Sequence, residues 1–146
     1  MFQKAVEGIK QAKTIEDLDA LHNTIDTSDW VSIQPGQKPQ TWQELRKLGF
    51  DALNQPFNHM RFDIKHVTLD GNIAVVEGVL IVEATIIDEE GRFGPKDATH
   101  DVVVGAPLKE TWVRSANGWR RRIHEKLEPN RALIVDGKPV AQSSHQ

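Results

Sequence analysis

A chain of 146 residues with 27% charged and 38% hydrophobic side chains has the size and composition of one folded domain and is too apolar to be disordered. Its formal net charge of -3 gives no electrostatic reason to expect nucleic acid or an anionic membrane as partner. The absence of cysteine removes a disulfide framework, a thiol nucleophile and thiolate zinc ligation from consideration.

The first residues lack the continuous apolar core of a signal peptide, and no run reaches the ~20 apolar residues that span a bilayer. A cytoplasmic location is the expectation. Val6, Ile9 and Ala12 lie at helical spacing, and Thr14-Ile15-Glu16-Asp17 reads as a capping box for a helix striped by Ile15, Leu18, Leu21 and Ile25. Asp26 to Asp29 stop that helix. Residues 29–33 alternate as a short strand, and Gln34-Pro35-Gly36 turns the chain. A second capping box, Thr41-Trp42-Gln43-Glu44, opens a helix that Leu45, Leu48, Ala52 and Leu53 stripe and Pro56 ends. Gly49 inside it costs about 1 kcal/mol against alanine, and close packing is the expected reason for it.

From Asn58 the period changes to two. Phe62, Ile64 and Val67 mark a strand closed by Asp70-Gly71-Asn72, residues 73–88 a long second strand, and residues 99–114 a third that Pro107 should bend. Residues 119–127 form a fourth, joined through Asn117-Gly118, a pair that tolerates the positive φ of a tight hairpin. Residues 133–138 suit one more short strand in a tail that is extended or mobile from about 130, with mobility expected in the last six residues. Helices segregated before a meander imply a single α+β domain over 1–146, cone-shaped, with N-terminal helices packed on a strongly curved antiparallel sheet.

The pattern resembles the nuclear-transport-factor-2-like superfamily, and within it the SnoaL-like group of small bacterial proteins. The residues that carry the likeness are Asp17 to Leu21, Asp29-Trp30-Val31-Ser32 with Pro35-Gly36, the helix opened by Thr41, Glu110-Thr111-Trp112, and Asn117-Gly118-Trp119-Arg120. The resemblance implies a conical pocket between helices and sheet, frequent dimerisation, and activities scattered over isomerases, dehydratases, cyclases, hydrolases and members without chemistry. It also implies an acid in the pocket at the position of Glu110. The chain has no tyrosine, which counts against the tyrosine-assisted isomerase mechanism known in such folds.

On the last strand, period two places Trp119, Arg121, Ile123, Glu125 and Leu127 on the core face and Arg120, Arg122, His124 and Lys126 outward. Arg121 and Glu125 are then either a structural ion pair or a ligand clamp with its acid or base. Glu110 either acts as an acid or base, with a pKa raised by burial, or pairs with Arg121 or Arg122 across the hairpin. These three are the candidate catalytic residues. Trp30, Trp42, His59, Glu77, Trp112 and Trp119 are candidates for lining a ligand pocket. The six histidines show no spacing that pairs metal ligands locally, so neither a metal nor a cofactor is expected. Alternation splits Arg120-Arg121-Arg122 between two faces, against a nucleic-acid stripe.

The face carrying Glu77 and Glu83 opposes a uniformly apolar one, Ala74 to Ile86, and solvating both would expose a large apolar patch. A homodimer through the outer sheet face is the expectation, and a light-scattering mass of one chain would exclude it. The function expected is binding of a small hydrophobic carbonyl compound with acid–base chemistry; the alternative is an accessory module that binds a protein partner.

Overall fold

The computed structural model describes residues 2–140, so the expected mobility of the last six residues falls outside the described part. Helices α1 (Phe2–Gln11) and α2 (Ile15–Ile25) are followed without a break by β1 (Asp26–Ile33). Thr14 caps α2: its hydroxyl accepts from Asp17 N at 3.2 Å while the Asp17 carboxylate accepts from Thr14 N at 3.2 Å and Lys13 N at 2.8 Å. Such a box contributes about 1 kcal/mol and fixes where the helix begins. At the other end Asp26 is already extended, with φ −103° and ψ 157°, so one residue ends α2 and opens β1.

After β2 (Gln40–Thr41) the expected single helix is two short pieces, α3 (Trp42–Arg46) and α4 (Phe50–Leu53). Thr41 caps the first as the sequence suggests. Gly49 is the correction. Nothing lies within 4 Å of where its Cβ would be, and its φ of 93° with ψ 162° belongs to glycine alone, so it breaks the helix instead of packing inside it.

The remaining strands are β3 (His59–Asp70), β4 (Ile73–Asp88), β5 (Ala98–Ser115), β6 (Gly118–Lys126), β7 (Arg131–Val135) and β8 (Lys138–Pro139). Their spatial order is β2-β1-β6-β5-β4-β3, with β7 on β5 and β8 on β7. Every pairing is antiparallel except β1 on β6, which is parallel, so the expected antiparallel sheet is a mixed one. The sheet stays open, with β2 and β3 at its two ends.

Strand β5 pairs one-for-one with β4 from Ala98 to Val113, without a bulge. On its other edge it serves two partners, β7 through Val102 to Gly105 and β6 from Leu108 onward. Pro107 stands in the gap between them, where a missing N–H breaks no ladder on that edge, and its carbonyl accepts from Leu127 N at 2.9 Å.

The apolar face of β4 turns inward. Ala74 and Val76 pack with Leu21 and Trp119 against a core of Ala5, Ile25 and Trp112. Gly78 lies on this strand opposite Ile64, beside a bulge at Lys65. A Cβ on Gly78 would stand 2.2 Å from the Asp63 carbonyl oxygen and 2.7 Å from the Phe62 ring. Gly78→Ala is expected to destabilise the fold by about 1–3 kcal/mol, read as a lower urea midpoint at unchanged slope.

Candidate active site

A cavity of about 350 Å³ opens between the helices and the inner face of the sheet. One wall is apolar, built from Val6, Ile9, Leu18, Leu45, Met60 and Leu80. The other comes from β1, the residue that follows it and β6, and is polar: Asp26, Ser32, Gln34, Arg121, His124 and Lys126.

The polar wall exists because β6 carries a bulge. Thr111 pairs with Ile123 but Trp112 with Arg121, so Arg122 is an extra residue on β6. One extra residue inverts the side-chain parity beyond it. Arg121 before the bulge and His124 and Lys126 after it therefore share the cavity face, which corrects the outward placement read from a strict period of two. Glu125, expected inward, stands on the other face, with Cα partners Lys109 and Ile33, and is not part of the cavity lining.

Arg121 is the hub. Its Nε donates to Asp26 Oδ1 at 2.8 Å, its Nη2 reaches Asp26 Oδ2 at 3.4 Å, and its Nη1 donates to Glu110 Oε2 at 2.9 Å. The expected Arg121–Glu125 pair is thus replaced by one bridging two carboxylates, and of the two cross-hairpin arginines it is Arg121 that takes Glu110. Both carboxylates are deeply buried, Asp26 at 5% and Glu110 at 1% exposure. Charges this far from water persist only when paired. The guanidinium also sits 5.6 Å from the Trp30 ring centre.

Each carboxylate holds a histidine at its outer side. His124 Nδ1 lies 2.7 Å from Glu110 Oε2, and His22 Nδ1 lies 3.0 Å from Asp26 Oδ2. Burial alone would raise the Glu110 carboxyl, but the His124 hydrogen bond and the Arg121 charge outweigh it and hold the group at about 2. Glu110 is therefore an ionised acceptor at neutral pH, without the raised pKa that service as an acid or base would need. A carboxylate cannot donate, so the His124 Nδ1 carries the proton and Nε2 is the nitrogen left for the cavity. Trp112 Nε1 donates to the second oxygen, Glu110 Oε1, at 3.1 Å. The carboxylates raise the pKa of Arg121 against the opposing effect of burial.

His22 is positioned by aromatic rings as well. It stacks on Trp42 with centroids 5.2 Å apart at 21°, and meets Trp30 edge-on at 5.5 Å. Trp42 is itself fixed, because its Nε1 donates to Asp19 Oδ1 at 2.6 Å and Arg46 clamps the same carboxylate at 2.9 and 2.7 Å. The Arg46 hydrogen bond holds the Asp19 carboxyl below the usual range despite some desolvation.

Of the residues singled out in the sequence, Arg121, Trp30 and Trp42 line the cavity, and Glu110 lies directly behind it. Trp112 and Trp119 belong to the adjoining core. His59 is exposed at the start of β3, and Glu77 pairs in register with His66 and Lys109 on the face away from the helices. The residues that sequence reasoning missed are His22, Asp26 and Lys126. The four-residue spacing of His22 and Asp26 was the one available signal, since a helix places such residues on one face. Among the described residues no cluster of His, Asp and Glu could hold a metal ion, and no helix is long and apolar enough to cross a membrane.

No protein-family model matches the sequence, and no curated protein matches it. Solved structures do match. A conserved protein from Planctomyces limnophilus superposes with a TM-score of 0.61 at 15% identity, over 89% of this chain and 90% of that one. A nuclear-transport-factor-2-like protein from Cytophaga hutchinsonii gives 0.57 at 11% identity, over 87% and 91%. A nuclear transport factor 2-like superfamily protein from Salmonella enterica gives 0.56 at 14% identity, over 89% and 87%. With helices laid on a large curved mixed sheet and matched along nearly its whole length, the chain has the nuclear-transport-factor-2-like fold.

Proposed function

We propose that this is a small-molecule-binding protein of the SnoaL-like type that carries out cofactor-free proton transfer on a hydrophobic carbonyl compound, as an isomerase, dehydratase or cyclase does. The observation that carries the reading is a pair of cavity histidines anchored at the two ends of one buried Asp26–Arg121–Glu110 network. Two carboxylates against one guanidinium leave one negative charge, which a single proton on either imidazole balances. One ring is then an acid while the other is a base, the arrangement that moving a proton between two positions of one substrate requires.

In this reading His124 removes or returns the proton through Nε2, and Glu110 sets its tautomer and orientation. Arg121 stabilises a developing oxyanion with the N–H groups its carboxylates leave over. His22 serves the second position, held by Asp26 and the Trp42 face. Trp30 and Trp42 wall the cavity without filling it, which suits a planar, apolar ligand. The same reading holds the protein to be cytoplasmic and homodimeric through the outer face of its sheet.

The test is exchange of α-protons in D2O, followed by NMR with 2-cyclohexenone and 1-tetralone as probes. Wild-type protein is expected to accelerate the loss of α-proton signal. His124→Asn, whose side-chain amide takes the place of Nδ1 and can still donate to Glu110, is expected to lower that acceleration by ~10²–10⁴-fold while the melting temperature holds. Equal rates for the two proteins would remove His124 from the chemistry.

A further inference from the structure

The acid–base network accounts for the charged groups on the cavity wall from Asp26 to His124, but not for the end beyond them. Lys126 follows His124 by two residues on β6, so its Cα lies roughly 6–7 Å further along the same face. The register that pairs Ser32 with His124 and Ile33 with Glu125 sets Gln34 beside Lys126 when carried one residue on. Both line the cavity.

Unlike Arg121, Lys126 is half-buried with no carboxylate to meet it. Its Nζ has no hydrogen bond or ion pair among the described residues, and the Gln34 side-chain amide has none either. Desolvation is the one influence on the ammonium, and it pushes the pKa down. Elsewhere in the cavity each charge is answered: Asp26 and Glu110 by Arg121 and the histidines. A cation drawn partly out of water with no counter-charge is the feature a ligand anion would complete.

We infer that the substrate is an amphipathic carboxylic acid, bound with its carboxylate on Lys126 and Gln34 and its carbonyl beneath His124 and Arg121. This rests on the proposed reading of the cavity and narrows it. One ammonium balances one negative charge, which selects a carboxylate over a phosphomonoester carrying nearly two. The spacing along β6 puts the acid group a few bonds from the reacting carbon, and the remaining body lies against Val6, Ile9, Leu18, Met60 and Leu80. A cavity of about 350 Å³ is at the small end for ligand sites, which run from ~300 to 1,000 Å³, and suits one ring with a short chain.

The experiment is a calorimetric and NMR titration with 4-phenylbutyrate, its neutral amide and 3-phenylpropyl phosphate, the indole signals of Trp30 and Trp42 reporting the cavity. In wild type the acid is expected to bind at least tenfold more tightly than the amide. Lys126→Met should erase that preference and leave amide affinity within twofold. Three results overturn the inference: equal binding of acid and amide with the indoles perturbed, an acid preference that survives Lys126→Met, or tighter binding of the phosphate. In each of these the cavity still binds, so the broader reading stands. If none of the three probes perturbs either indole, both fall together.

Discussion

Replacing Arg121 by methionine is expected to cost about 3–5 kcal/mol of folding stability, measured by urea denaturation. The size of the loss follows from what stays behind more than from what is removed. Asp26 and Glu110 would face each other across the vacated space at 5% and 1% exposure, two carboxylates with no guanidinium between them. The strand pairing beneath them also suffers, because Asp26 and Arg121 are Cα partners where β1 meets β6. A triple variant, Arg121→Met with Asp26→Asn and Glu110→Gln, removes the stranded charges and is expected to recover part of the loss. A single variant that loses under 1 kcal/mol would show that the network contributes little to holding these strands.

Glu110→Gln should lower stability at neutral pH and change its dependence on acid. The carboxyl is held at about 2 in the folded chain against an ordinary value of 4.5. Its ionised form therefore favours folding: the contribution is complete above pH 4.5 and fades as the pH falls towards 2. At about 1.4 kcal/mol per unit, the depression amounts to roughly 3 kcal/mol. Wild type is expected to lose stability across that window, and the variant to lose less across the same window. The slope will not vanish, since Asp19, Asp29 and Asp88 are also held low by their hydrogen bonds. At neutral pH the amide offers one acceptor to three donors, Trp112, Arg121 and His124, so at least one is left unanswered. Identical acid limbs for the two proteins would contradict this account.

Local chemistry made much of the fold legible in the sequence. Thr14 with Asp17 and Thr41 with Glu44 read as capping boxes and form them, because a cap depends on residues three apart. The Asn117-Gly118 turn and the long alternating runs of β3, β4 and β5 were likewise visible. Pairing of Glu110 with Arg121 was among the readings that alternation allowed. The site itself was hidden for two reasons. The bulge at Arg122 sits in Arg120-Arg121-Arg122-Ile123, where no glycine or proline marks an extra residue, so counting by twos put His124 and Lys126 on the wrong face. Asp26 looked like a helix stop because its partner is 95 residues away, a distance over which periodicity carries no information. Gly49 failed more simply: a glycine in an apolar stripe can mean close packing or a break, and only its backbone angles distinguish them.

The parallel pairing of β1 on β6 has a consequence for when the site comes into being. The β3–β4, β4–β5 and β5–β6 pairings each join strands that are neighbours in sequence and can zip up from a turn. The β1–β6 contact closes a loop of nearly a hundred residues, the costliest closure in the sheet, and contacts of that separation form late. Asp26 and Arg121 meet only there. A folding intermediate holding the β3–β6 meander would thus have the Glu110, Arg121 and His124 part of the network but neither Asp26 on Arg121 nor an oriented His22. Competence to bind then arrives with the last step of folding, and a ligand in the cavity would favour the fully closed chain over every partly folded form.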